Sequence, residues 1–197
     1  IIRAVHCALR GYFFVISPFE NTIEMNLIFF DDDQRNHLLP LTFTRPCSEL
    51  RIGIDTIREK WSHYLKHTNT SWLVEEYLSV KFPLVLGEGN VLINGRCIPN
   101  PDLIREIESL DDGESIWHSE QLIAARLGEP ELAQYLASKR PLWKVNFKKN
   151  LSVGEPPLLI NHVYDLFEQN GVVMEADFQR ITAGRSSQPL DPSVTVI

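Results

Sequence analysis

The stretch from Asn26 to Val74 limits the fold more than any other part of the chain. "NLIFF" (26–30) is a short, continuous apolar run, the length of a strand buried on both faces. A long charged loop follows over 31–52. Residues 53–66 then place Ile54, Ile57, Trp61, Tyr64 and Leu65 on one helical face. "SWLV" (71–74) reads as the next strand. Strand, loop, helix, strand is a βαβ unit. It predicts an α/β fold with a mainly parallel sheet flanked by helices, and "NLIFF" at its centre.

The rest of the chain extends this pattern. "PLVLGEGNVLING" (83–95) holds two apolar runs broken by Gly87 and Gly89. "NPDLIREIESL" opens a helix with Asn100 as N-cap and Pro101 at the first helical position. "ESIWHSEQLIAARL" (114–127) is read first as a hairpin turning near Ser119–Gln121, and second as a helix. "EPELAQYLASKR" is helical. "VYDLFEQNG" and "VMEADFQRITAG" read as helices closed by Gly171 and Gly184. The tail "SSQPLDPSVTVI" reads as a linker entering a strand. No internal repeat is visible.

Composition narrows the class of function. The 197 residues carry a net charge of −7 and no long basic stripe, which argues against nucleic-acid binding. An acidic chain still binds a free nucleotide or sugar phosphate with a few well-placed cations. Cys7, Cys47 and Cys97 are odd in number and lack CxxC spacing, which suits a reducing cytoplasm rather than a disulfide framework. The apolar part of residues 1–24 is broken by Arg10 and is too short to span a membrane. Met25 directly precedes the first strand, so residues 1–24 are expected to be an upstream extension. Residues 25–170 are expected to form the main domain.

The loop after the first strand carries the chemistry. Ligands of open α/β sheets bind outside the carboxyl ends of the strands, where this loop lies. It holds Asp31, Asp32 and Asp33, then Arg35, Thr42, Arg45 and Arg51. Guanidinium forks match phosphate oxygens, so the three arginines read as a polyphosphate cradle. The ordinary alternative is that Arg45 pairs with one of the three aspartates and braces the loop. His63 and His67 lie at i,i+4 but lack a following Glu, and read as exposed. Cys47 has no assignable histidine partner and reads as passive.

The segment "LPLTFTRPCSEL", with Leu39, Pro40, Leu41, Thr42, Arg45 and Pro46, resembles the "PLT…RPKPL" segment of sugar-phosphate nucleotidyltransferases. The longer run "FFDDDQRNHLLPLTFTRPCSELRIGIDTIREKW" resembles an atypical bacterial family related to the bifunctional enzyme of UDP-N-acetylglucosamine synthesis. "NVLINGRCIPN", "LIAARL" and "YDLFEQNG…DFQRITAGRSS" are similar to it as well. The resemblance covers residues 25–197. It implies a Rossmann-like nucleotidyltransferase domain, with residues 171–197 leading into a left-handed β-helix domain. Homo-oligomerisation would run through that further domain.

It also implies a cytoplasmic transferase joining a nucleoside triphosphate to a hexose-1-phosphate with Mg²⁺. Arg35 and Arg45 would act on the triphosphate, helped by Arg51 and Thr42. Asn94 and Gly95 would meet substrate, and Asp32 or Asp33 would hold the metal. Three departures stand out. The glycine-rich half of the motif is absent, Cys47 replaces the usual lysine, and Asn94-Gly95-Arg96 replaces a metal-binding Gly-Asp. They keep a second reading open, a catalytically degenerate domain that binds a ligand or supports the β-helix.

Overall fold

The computed structural model describes residues 25–186 except 66, 88, 139, 140 and 154, together with 188 and 193. The expected upstream extension and most of the expected linker lie outside the described residues. The elements in chain order are β1 (Met25–Phe30), α1 (Ile57–Tyr64), β2 (His67–Leu73), α2 (Glu76–Ser79), β3 (Asn90–Asn94) and α3 (Pro101–Glu108). Next come β4 (Glu114–His118), β5 (Gln121–Leu127), α4 (Glu129–Ser138), β6 (Lys149–Ser152), α5 (Asp165–Glu168) and α6 (Asn170–Thr182).

The strands form one six-stranded sheet in the order β2-β1-β3-β5-β4-β6. β1 runs parallel to both β2 and β3, and β4 runs parallel to β6. β5 is antiparallel to β3 and β4. The sheet is therefore mostly parallel, interrupted by the β4–β5 hairpin. β1 is interior rather than central; β3 and β5 occupy the middle.

Strand alternation explains the apolar run. Leu27 and Phe29 face one layer, where Ile57 and Trp61 of α1 and Leu103 and Ile107 of α3 pack. Ile28 and Phe30 face the other layer, with Leu132 of α4 and Leu142. Both faces are buried, so β1 has no polar side to show.

Local chemistry sets the boundaries. Thr56 and Glu59 form a reciprocal capping box, so α1 starts after Thr56. Ile54 therefore lies in the preceding loop. Ile54 and Tyr64 are exposed, and the helix buries Ile57 and Trp61. The Asn100 side chain accepts from Leu103 N–H, with Pro101 just inside α3. β4 and β5 meet at the Ser119–Glu120 turn, as the hairpin reading expected. Only the second run of 83–95 is a strand. Gly184 has φ +72° and closes α6, whereas Gly171 lies inside α6 and closes nothing.

Candidate active site at the carboxyl edge of the sheet

The carboxyl ends of β1, β3 and β4 and the start of β5 lie along one edge. Two cavities sit side by side over it. The larger, about 590 Å³, is lined by His118–Gln121, Pro157–Leu159 and Asn161. The smaller, about 250 Å³, is lined by Phe30, Asp32–Gln34 and Glu120–Leu122. Glu120 and Gln121 line both, so the two form one trough. The hairpin turn delivers them there. Ser119 takes a left-handed conformation (φ 54°) in that tight turn.

The charged loop is wired internally. Asp31 is buried and accepts from Cys47 N–H at 3.0 Å, with Arg35 Nε 3.3 Å from its other oxygen. Burial pushes the Asp31 carboxyl up to about 6, against the pull of Cys47 and Arg35. Arg35 is itself buried. Its Nη2 donates to Thr42 O and to Tyr77 Oη, both at 2.5 Å, while the buried Thr42 hydroxyl donates to Arg35 O. Arg35 and Thr42 thus close the loop on itself. Neither lines the trough.

Asp32 meets the fully buried Arg96. Arg96 Nε donates to one Asp32 oxygen at 2.9 Å and Nη2 to the other at 2.6 Å. Asn94 Nδ2 adds a bond to Asp32 at 2.9 Å and another to Leu122 O at 3.0 Å. Gln34 N–H also donates to Asp32. Arg96 Nη1 reaches Asn161 Oδ1 at 2.5 Å, which ties the floor to the 157–161 wall. Gly95 passes beneath the loop: a Cβ there would lie 3.1 Å from Ser48 N and 3.2 Å from Asp31 Oδ1. Neither Asn94 nor Gly95 is among the residues lining the trough.

These facts correct several sequence expectations. Arg35 and Arg45 do not share a pocket. Arg35 points inward, because the acid run needs a buried counter-charge. Arg45 is exposed and makes no hydrogen bond or ion pair among the described residues. It does not brace the loop either; Arg35 and Arg96 take the acids instead. Arg51 is exposed, bonded to Ile54 O and near Glu59. His63 is exposed beside Asp55, and His67 belongs to β2, so the helical histidine pair does not exist. Cys47 is buried. Burial first, then the negative Asp31, raises its thiol well above the usual value, so it stays protonated.

The Mg²⁺ expectation meets the donor set directly. Both oxygens of Asp32 are already held by cation and amide donors. Asp33 is exposed and bonded only to Gln34, and no three His, Cys, Asp or Glu gather among the described residues. As placed, Asp32 does not fit the metal role, whereas Asp33 offers one free carboxylate at the trough, which suits an ion held by one or two carboxylates together with substrate phosphates. The sequence reading named Arg96 only as a departure, and missed Glu120, Gln121 and Asn161. A buried arginine needs an acid, and three acids stood at the neighbouring strand end; that signal was available.

No helix among the described residues is long and apolar enough to cross a membrane. A family model described as "Sugar nucleotidyl transferase" matches residues 27–186. No curated protein matches by sequence. Among solved structures, a Bacillus anthracis protein described as a glucose-1-phosphate thymidylyltransferase, in complex with sucrose, is similar. The likeness covers 77% of this chain and 96% of that one, at 10% identity and a TM-score of 0.47.

Proposed function

Because this chain belongs to the sugar nucleotidyl transferase family, we propose that it joins a nucleoside triphosphate to a hexose-1-phosphate, forming a nucleotide sugar. A phosphate oxygen of the sugar phosphate attacks the α-phosphorus. The bond from that phosphorus to the bridging oxygen breaks, and pyrophosphate leaves. Such chemistry depends on positioning and charge stabilisation.

One observation carries the reading: the trough over the carboxyl edge, lined by Asp33, Glu120, Gln121 and Asn161. Carboxylates and amides pair well with sugar hydroxyls, while their negative charge repels phosphate. The sugar ring therefore belongs in the trough and the triphosphate outside it. Arg45, exposed on the loop and unpaired among the described residues, is a cation free to meet phosphate. Arg35 and Arg96 hold the floor and touch neither substrate. The resemblance makes UDP-N-acetylglucosamine the first product to try.

A second reading is a nucleotide-sugar-binding domain without catalysis. The observation favouring it is the neutralised Asp32, which leaves no cluster of three metal-ligating side chains among the described residues. A pyrophosphate-release screen over nucleoside triphosphates and sugar-1-phosphates, with and without Mg²⁺, separates the two. Release that requires both substrates supports the transferase. Nucleotide-sugar binding with no release under any pairing supports the second reading.

A further inference from the structure

A column of three aromatic rings stands beside the trough. His37 stacks on His162 with ring centroids 5.3 Å apart and planes 2° from parallel. His162 stacks in turn on Tyr164, at 4.9 Å and 6°. These are offset-stacked separations. His162 is the middle ring. Among the described residues neither His37 nor Tyr164 meets a further ring. Both end residues are exposed, Tyr164 at 55%. Each end of the column therefore has a face without a ring partner.

The chain ties this column to the trough twice. Asn161 lines the trough, and His162 is the next residue. On the other side, Asp33–Leu38 is a short 3₁₀ helix whose Asp33 and Gln34 line the trough. Side chains three apart eclipse in such a helix, so His37 stands over Gln34, about 6 Å along the axis.

The rings are held in place by the chain itself. Asn161 and His162 N–H both donate to Asp165 Oδ2, at 2.7 and 2.8 Å. Asp165 N–H donates back to His162 O at 3.1 Å. Arg96 fixes the Asn161 side chain, and Asp32 fixes Gln34 N–H. A surface ordered in advance loses little freedom on binding.

Trough and column offer different chemistry. The trough presents carboxylates and amides, which suit hydroxyls. The column presents flat π faces, which suit a planar aromatic ring. A nucleotide sugar carries one group of each kind, a hexose and a base, joined through ribose and two phosphates. We infer that the nucleobase of the substrate continues this column, stacking on an outer face of His37–His162–Tyr164. The inference rests on the nucleotide reading above and adds where the base sits. Stacking accepts any base, so the column positions the base without choosing it.

Calorimetric titration of the four common nucleoside triphosphates, with inorganic triphosphate as the probe that lacks a base, tests this. Wild type should bind at least one nucleotide about fivefold or more tighter than inorganic triphosphate, since a stacked base contributes that much. Tyr164→Ala or His37→Ala, whichever end carries the base, should weaken that nucleotide by about fivefold to a hundredfold. Neither should change the affinity for inorganic triphosphate or the melting temperature. Tyr164→Phe and His37→Phe keep a ring and should bind the nucleotide as wild type does. Tyr64→Ala, at an exposed tyrosine on α1, should change nothing. Nucleotide bound no tighter than inorganic triphosphate, or equally by wild type and both alanine variants, overturns the inference alone. Binding of no nucleotide by wild type overturns the nucleotide reading, and this inference with it.

Discussion

Asp31 and Asp32 are neighbours in sequence with different partners. Asp32 is held by a fully buried guanidinium, and Asp31 is raised to about 6 by its burial. A carboxyl raised in the fold binds its proton more tightly folded than unfolded. Between its unfolded value near 4 and about 6, this group makes stability fall as pH rises. The full shift corresponds to roughly 2–3 kcal/mol. Chemical denaturation of wild type and Asp31→Asn from about pH 4 to about pH 7 should show that slope in wild type only. For the Asp32–Arg96 pair, Arg96→Met leaves a buried carboxylate unpaired and should cost about 3–5 kcal/mol by the same method. The two loop arginines should separate cleanly. Arg35→Ala loses roughly 3 kcal/mol of stability. Arg45→Ala keeps the melting temperature but weakens triphosphate binding several-fold, most at low salt, as a rim charge does. Calorimetric titration beside thermal melts reads both. The sequence carried the residue types of this loop but not their directions. Asp31 and Arg35 at i,i+4 were consistent with a brace and with a cradle. Only the burial that comes from packing the loop against β3 decides between them.

Elements were more legible where local chemistry is strong. The Asn100–Pro101 start, the β4–β5 hairpin and the Gly184 stop follow from capping and turn preferences acting within a few residues. Gly171 was misread because a C-cap glycine and a helix-interior glycine look alike until the following turns are counted. Tyr64 was misplaced because periodicity tells which residues share a face, not how wide the covered face is. Two tests belong to this scale. Ser119 holds a left-handed backbone that favours glycine, so Ser119→Gly should stabilise by roughly 0.5–1 kcal/mol after the added unfolded-state freedom is counted. That is a rise of a few degrees in melting temperature for a domain of this size. The docking of α6 depends on Asp177. Burial raises that carboxyl, but Lys60 and the Ile54 and Asp55 N–H groups outweigh burial and hold it below the usual value. Its stabilisation is present above the ordinary aspartate range and is lost as pH falls through the lowered value. Asp177→Ala strands the buried Lys60 and should cost about 3–5 kcal/mol at neutral pH, measured by denaturation.

At the scale of the molecule, the βαβ opening was enough to place the binding edge, because strand direction puts the carboxyl ends together. It was not enough to build the trough. Glu120, Gln121 and Asn161 come from a hairpin and a loop distant in sequence from β1, and only the order β3-β5-β4 brings them over Asp33. The central claim is that a nucleotide sugar sits there. Titration of UDP-N-acetylglucosamine and other nucleotide sugars into wild type and Gln121→Trp tests it most directly, since the indole fills the wall common to both cavities. The account predicts that wild type binds at least one of them. Gln121→Trp should then bind it at least tenfold more weakly, about 1.4 kcal/mol, with an unchanged melting temperature. Equal affinity in the two proteins, or no binding to wild type by any member of the series, would contradict it.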